Sequence, residues 1–431
     1  MSNLPTREAL IKAGYPYGKA ADGIPMGDEK AEYLRTSPDY ITYIPHADDG
    51  TDRDNEHFQV LKVKSGKKLY ALWTQSSVEG KGNNHLVYAF SDDYVHWTEP
   101  KVLSGAIQNG SKAPASWGFP IMSASGRIYV FYTPGGYNGD WNIMCTYSDD
   151  EGETYAPETK LPLPANRMGY WIVWQIPTRI SDGTYLAGCT IWYGDEKPGT
   201  NWCHKESVSQ LLAFENIDDD PDPKDIVISW RNEKPICVPD PMFPDISVAQ
   251  EPAIIELPDG RIWVQVRTMC DSPYFTVSAD GGRTFTEPEP LRFKDGSPLL
   301  HPLSPAPIYE YAKGKYFILV HQNPGVRLGF DHHELRWIVN VSNFIRNPNY
   351  LCKAEFDAAA EQPLSISEPI KIIDSGDIAV GPKCTAESGT YTSFTRCDKK
   401  AVLWYPDRKF YLLGKDLSRY GVIPDDTNKC E

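Results

Sequence analysis

The sequence predicts an all-β protein built as a β-propeller, and three observations carry that expectation. A hairpin unit, in which an apolar or alternating strand runs into a glycine turn and a second strand leaves it, recurs along the chain. A short Ser, Asp, Gly, Thr and aromatic turn motif follows the hairpin in several copies. The composition suits many short strands with tight turns: 25 Tyr, 12 Trp, 33 Gly and 36 Pro among 431 residues, spread along the chain and not gathered in one linker.

Five hairpins stand out: FQVLKVKSGKKLYALW around Gly66, FPIMSASGRIYVFY around Gly126, WQIPTRISDGTYLAGC around Gly183, EPAIIELPDGRIWVQVRT around Gly260 and APIYEYAKGKYFILVH around Gly314. SFTRCDKKAVLWYP near Asp398 is a weaker sixth. The turn spacings of 60, 57, 77 and 54 residues fit one four-stranded blade each, with loops of varying length. Because residues 340–390 leave room for a further blade with a degraded hairpin, the preferred architecture is a seven-bladed propeller of four-stranded antiparallel blades, with six blades as the alternative. An early strand, Tyr40–Ile44, is expected to join Val402–Tyr405 and Phe410–Leu413 and close the ring, which removes exposed sheet edges. Residues 1–38 are then an N-terminal extension packing on the propeller, and 39–431 a single propeller domain.

The turn motif reads S-x-D-x-G-x-T-aromatic at Ser148–Tyr155 and again at Ser278–Phe285, with a version one residue shorter at Ser91–Trp97. Asp and Ser can bond the backbone amides of a tight turn, Gly supplies a positive φ, and the aromatic packs between blades. These residues are expected to stabilise turns and do no chemistry.

Charge and cysteine usage narrow the function. A net charge of −15 without a clustered basic patch argues against nucleic acid, and no 18-residue apolar run suggests a membrane span. The opening MSNLPTREAL lacks a basic-then-apolar leader pattern, as expected of a cytoplasmic chain or of an exported one whose leader has been removed. Nine scattered cysteines without CxxC spacing are expected as buried free thiols, so neither a metal nor a cofactor is expected. A closed propeller has no free edge to pair, and a monomer is expected.

The repeated turns are similar to the Asp boxes of the sialidase-like propellers. Since strands reverse direction, the Gly turns and the Asp boxes must share one face, and the resemblance implies that chemistry lies on the opposite one. Nine residues before each turn Gly stand His57, Trp117, Trp174, Glu251 and Pro305; seven after stand Trp73, Thr133, Thr190, Arg267 and His321. Core packing alone would not choose this set, although inter-blade packing and buried hydrogen-bonded pairs are the plainer explanation for any single member. Trp rings suit stacking on sugar faces, and the charged groups suit an acidic or polyhydroxylated ligand. Loops on the same face add Gln75, His85, Trp192, Tyr193, His204, Tyr274, Arg327, His332, His333 and Arg336, and the loop before the third blade adds Arg167, Tyr170 and Trp171. Arg167 and Arg327 matter because an acidic protein that binds a carboxylate needs local guanidinium groups.

AQEPAIIELPDGRIWVQVRT closely resembles the central repeat of the sialidases. That resemblance implies that Glu251 polarises a nucleophilic Tyr and that Arg267 is one of three arginines on a sialate carboxylate. The family's (F/Y)RIP motif is absent, and His57 stands where its Arg would be. NEHF…WTQSS, ASWGFPIM and WIVWQIP, followed by QEP…VRT, look more like the L-rhamnose-α-1,4-D-glucuronate lyases, over residues 50–340. This second resemblance implies β-elimination at a uronate, on an oligosaccharide or polysaccharide bearing a uronic acid. A base takes the C5 proton, an acid protonates the leaving oxygen, and cations neutralise the carboxylate. His57 is the first choice for base or acid, with His85 or Tyr274 completing the proton transfers. Arg267, Arg327 and Arg167 would hold the carboxylate, Glu251 would orient Arg267, and Trp117, Trp174, Gln175 and His321 would shape the sugar site. An exo-glycoside hydrolase using Glu251, and a glycan-binding propeller without catalysis, remain the alternatives.

Overall fold

The computed structural model describes residues 25–79, 82–105, 113–135, 142–161, 163–164, 170–173, 175–193, 205–240, 243–322, 346–397 and 399–425. These form six antiparallel sheets, each a blade whose strands run from the channel outward. Blade one is Asp54–Lys62, Leu69–Ser76, His85–Ser91 and Lys101–Gly105. Blade two is Ala115–Met122, Ile128–Pro134, Met144–Ser148 and Thr159–Lys160. In blade three the innermost strand is split into Tyr170–Val173 and Thr178–Arg179, both paired with Tyr185–Trp192; Ser207–Phe214 and Ile228–Trp230 follow. Blade four is Gln250–Glu256, Ile262–Arg267, Tyr274–Ser278 and Glu289–Pro290.

The preferred count of seven blades is corrected to the alternative, six. The segment held open for a seventh blade belongs to blade five: after Ile308–Ala312 and Lys315–Val320 comes Asn349–Phe356, whose outer edge is covered by both Leu364–Ile366 and Ile370–Ile373. One long strand takes two short partners end to end, so the extra sequence extends a blade and adds none. Blade six runs Ser393–Cys397, Lys400–Asp407, Tyr411–Asp416, and its outermost strand is Tyr40–Tyr43 from the start of the chain. This is the expected ring closure, with Tyr40 opposite Gly414. Residues preceding that strand lie on blade six as well: Thr36 bonds the Tyr405 hydroxyl at 2.9 Å, and Arg408 donates to the Glu32 carbonyl at 2.7 Å.

The core is distributed over the seams between blades. Six buried apolar clusters occur among the described residues, each drawn from two neighbouring blades. Phe119, Phe131, Leu212 and Phe214 join blades two and three, for example, while Phe58, Trp73, Val402 and Trp404 join one and six. Strands buried on both faces explain the near-continuous apolar runs in the sequence.

The Asp-box turns hold the outer seams. Asp280 accepts from the Thr284 amide at 2.9 Å and its hydroxyl at 2.6 Å, while Ser278 Oγ donates to Asp280 at 2.7 Å and accepts from the Gly282 amide at 2.8 Å. Asp150 and Ser148 repeat the pattern around Thr154 and Gly152. The motif's aromatic then crosses to the preceding blade: Tyr155 donates to the Tyr70 hydroxyl at 2.8 Å, and Trp97 meets Trp404 edge-on at 5.4 Å. Asp280→Ala is therefore expected to lower stability by about 1–2 kcal/mol, through lost charge-assisted bonds in a largely exposed turn. The bonds hold the Asp280 carboxyl below its usual range. This contribution is present above the unfolded carboxylate's pKa and disappears as the pH falls through the folded one, so wild type and variant should converge in acid. Denaturant titrations at neutral and acidic pH measure both effects.

Candidate functional site

The Gly turns and the Asp-box turns lie at one end of the blades, since Ile128 pairs with Ser148 and Ile262 with Ser278 beside them. The starts of the innermost strands are at the opposite end, and there the chain repeats an unusual device. His57, Trp117 and Glu251 have φ of 53°, 55° and 42°, although none is glycine. In each case the ladder slips beside that residue, between Glu56 and Gln59, Ser116 and Phe119, and Gln250 and Ala253. A bulge with a left-handed residue re-aims a side chain out of the pleat, and such strain persists where its surroundings hold it. The neighbouring blade does the holding. The Trp117 amide donates to Thr74 Oγ1 at 2.8 Å, and the Glu251 amide to Thr190 Oγ1 at 2.6 Å. Gly188 lets the blade-four bulge approach blade three, because an added Cβ would stand 2.4 Å from the Pro252 carbonyl oxygen.

Tyr391, with φ of 59° just before the innermost strand of blade six, completes the set and was not picked out from the sequence. Its hydroxyl donates to Glu251 Oε1 at 3.0 Å. Arg267, on the second strand of blade four, donates from Nη1 to Glu251 Oε2 at 2.7 Å and to the Tyr391 hydroxyl at 3.4 Å. His57 stacks on Tyr391 with ring centres 4.3 Å apart and meets Trp117 edge-on at 6.4 Å. Four of the residues expected at the site, His57, Trp117, Glu251 and Arg267, thus converge around a fifth that was missed.

The electrostatics follow from burial. The His57 imidazole is pushed down to about 3 by desolvation, reinforced by Lys409, and is neutral at physiological pH. Neither of its ring nitrogens has a hydrogen-bond partner among the described residues. Burial, then the Glu251 carboxylate, raises the Tyr391 phenol, while Arg267, Lys409 and Arg346 oppose the rise. Beside His57, Glu56 and Glu79 share one ammonium, Lys409 Nζ, at 2.9 Å each, and Lys383 also pairs with Glu79. Burial and the competing Glu79 hold Glu56 up to about 7, and burial holds Asp54 up to about 6. A second buried ion pair, Arg346 Nη1 to Glu387 Oε2 at 2.8 Å, lies nearby, and Arg346 is also braced by the Leu303 carbonyl at 2.8 Å.

Other expected residues take different surroundings. His85 is tied to Gln75 Oε1 at 3.2 Å and the Asn83 carbonyl at 3.0 Å, and Gln75 is tied in turn to Asn55. Tyr274 packs against the apolar cluster between blades three and four. His321 stacks on His301 at 5.3 Å and is pushed down to about 3, chiefly by burial. Gln175 is nearly buried. Arg167, Trp174 and Arg327 lie outside the described residues. No group of three or more His, Cys, Asp or Glu side chains among the described residues is arranged to hold a metal ion.

Comparison with known proteins agrees with this architecture. The family model described as the BNR repeat-like domain matches residues 67–300, more than half of the chain. No curated protein sequence matches. Among solved structures, a protein of unknown function from Dyadobacter fermentans DSM 18053 is similar at a TM-score of 0.59 and 13% identity, over 88% of this chain and 97% of that one. Hadza microbial sialidase Hz136 is similar at 0.61 and 12%, over 87% and 68%. A variant of NanB sialidase from Streptococcus pneumoniae is similar at 0.59 and 11%, over 89% and 71%. At these identities the likeness is one of fold.

Proposed function

Because the chain belongs to the BNR repeat-like domain family, we propose that it is a glycan-cleaving enzyme whose nucleophile is Tyr391, acting as an exo-glycoside hydrolase. The observation that carries this reading is the buried Tyr391–Glu251–Arg267 cluster, in which the phenol donates to Glu251 Oε1 at 3.0 Å. Glu251 accepts the phenolic proton as Tyr391 oxygen attacks the anomeric carbon and the glycosidic C–O bond breaks, the leaving aglycone oxygen taking its proton from solvent. Arg267 Nη1 holds the other carboxylate oxygen and faces the phenol, so positive charge is in place where the phenolate develops. Water then attacks the anomeric carbon, the Tyr391 O–C bond breaks with Glu251 returning the proton to the phenolate and the water proton passing to solvent, and the sugar leaves with retention. Trp117, beside His57, offers an apolar ring for a sugar face. The sialidases among the fold neighbours support a carbohydrate substrate.

One observation favours a second reading, β-elimination at a uronate such as L-rhamnose-α-1,4-D-glucuronate. His57 is a neutral imidazole whose ring nitrogens have no hydrogen-bond partner among the described residues, with Nδ1 3.9 Å from Glu56 Oε2, stacked on the phenol of Tyr391. The two could remove the C5 proton and return one to the C4 oxygen, with Arg267 against the carboxylate. Products separate the readings. In ¹⁸O water, on oligosaccharides ending in rhamnosyl-glucuronate and on neutral exo-linked glycans, hydrolysis places one ¹⁸O in the released sugar and gives no ultraviolet-absorbing product. Elimination gives an absorbing unsaturated uronate and no ¹⁸O, and it should be abolished by His57→Ala. Binding with neither product across the panel would leave a glycan-binding propeller.

A further inference from the structure

We propose that Lys409 is a positioning residue for Tyr391, its ammonium fixed by Glu56 and Glu79 against the phenol so that the phenolate form is stabilised before substrate arrives. The inference rests on the reading of Tyr391 as nucleophile, but it makes a claim about the free protein. Lys409 lies in the turn between the second and third strands of blade six, on the same end of the blades as the bulged residues. Sequence gives that turn, Asp407–Phe410, the look of a solvated hairpin tip. The structure gives the opposite: Arg408 is 1% and Lys409 5% exposed.

The turn is locked from both sides. Arg408 and Lys409 both have positive φ, 56° and 50°, the pairing of a tight hairpin turn that non-glycine residues enter only at a cost. Arg408 fixes it by donating to Asp407 Oδ2 at 2.8 Å, to Glu32 Oε2 at 3.1 Å and to the Ile378 carbonyl at 3.2 Å. Lys409 is thereby turned inward. Its Nζ sits 2.9 Å from Glu56 Oε2 and 2.9 Å from Glu79 Oε2, and 5.2 Å from the centre of the Tyr391 ring.

A point charge at that distance in a buried site acts on the phenol strongly, since little water screens it. Burial works against the ammonium, but Glu56, Glu79 and Glu387 keep it charged. The groups acting on Tyr391 come from every side: Glu251 and Arg267 from blade four, His57 from blade one, Arg346 from the connection after blade five's second strand, and Lys409 from blade six. Of these Glu251 disfavours the phenolate, His57 is neutral, and Arg267 is already committed to Glu251. Arg346 is likewise committed to Glu387, whereas Lys409 is held by Glu56 and Glu79, both in blade one. Burial and Glu79 hold the Glu56 carboxyl above its usual range, so Glu56 compensates the ammonium less as the pH falls.

The test reads Tyr391 directly. The full chain is labelled with 2,3,5-trifluorotyrosine, whose more acidic phenol keeps the raised Tyr391 midpoint within a titratable range, the Tyr391 fluorine resonances are identified by their loss in Tyr391→Phe, and the ionisation is followed by ¹⁹F NMR. Lys409→Met is expected to raise the midpoint by about one to three pH units, and Lys409→Arg to keep it near the wild-type value. Because Lys409→Met alone leaves the buried Glu56 without its cation, while Glu79 keeps Lys383, Lys409→Met/Glu56→Gln is measured as well, and a smaller rise in the same direction is expected. An unchanged or lowered midpoint in both Met variants overturns the proposal. A raised midpoint together with full turnover in Tyr391→Phe would leave this inference standing and overturn the nucleophile reading instead.

Discussion

Tyr391→Phe is expected to reduce turnover of any glycan the protein cleaves by about a thousandfold or more, as removal of a covalent nucleophile does elsewhere, with the fold intact. The substitution removes one oxygen and keeps the ring, so the 4.3 Å stack on His57 survives. What disappears is the donor to Glu251 at 3.0 Å and the acceptor for Arg267 at 3.4 Å. Arg267 still holds Glu251 Oε2, but Oε1 loses its phenolic donor in a buried cluster, so the stability loss should be about 1–3 kcal/mol. The split matters more than either number. A residue that only packs the channel would lose both properties together or neither. Turnover within tenfold of wild type, measured on a substrate that wild type cleaves, would remove Tyr391 from the chemistry.

Why Tyr391 escaped the sequence reading while its neighbours did not is a matter of register. Counting nine residues back from a turn glycine reaches His57, Trp117 and Glu251, because three blades share the same turn, strand length and bulge. Blade five breaks the pattern at Pro305, whose ring cannot adopt a positive φ; there the chain offers the Pro305 carbonyl, 3.3 Å from His301 Nε2. Blade six has no turn glycine at all. Lys399, at φ 63°, does that work, and Tyr391 stands eight residues before it because Cys397 pairs directly with Lys400 across a shorter turn. A rule keyed to glycine could not see it. The seven-blade preference failed for a related reason: length alone cannot distinguish a new blade from one strand with two partners along its edge. Lys409 was invisible on composition, since Asp-Arg-Lys in a hairpin turn usually means solvent. Its burial depends on acids from blade one, some 330 to 353 residues away in sequence. Local periodicity therefore gave the blades and the end at which His57, Trp117 and Glu251 stand, whereas contacts between the first and last blades had to come from the closed ring.

Glu251→Gln is expected to cost about 3–5 kcal/mol of stability, the usual penalty for leaving a buried charge without its partner. The change preserves shape and β-carbon, so the strain of φ 42° is the same in both proteins and does not enter the difference. It strips the negative charge from a pair whose side chains are 4% and 3% exposed, and Arg267 Nη1 loses the carboxylate oxygen it holds at 2.7 Å. Arg267→Gln alone should be comparably damaging, since it leaves the carboxylate uncompensated. The double variant Glu251→Gln/Arg267→Gln should recover most of the loss, because two neutral amides need no counter-charge, and the coupling in the cycle measures the pair itself. Activity should not follow stability. With neither the Glu251 base for the Tyr391 proton nor the Arg267 guanidinium at its oxygen, the double variant is expected to be as inactive as Tyr391→Phe. Denaturant unfolding of the four proteins, beside turnover on the same preparations, checks both halves. Recovery of turnover along with stability would mean that the Glu251–Arg267 pair is scaffold and that the chemistry belongs to other residues on this face.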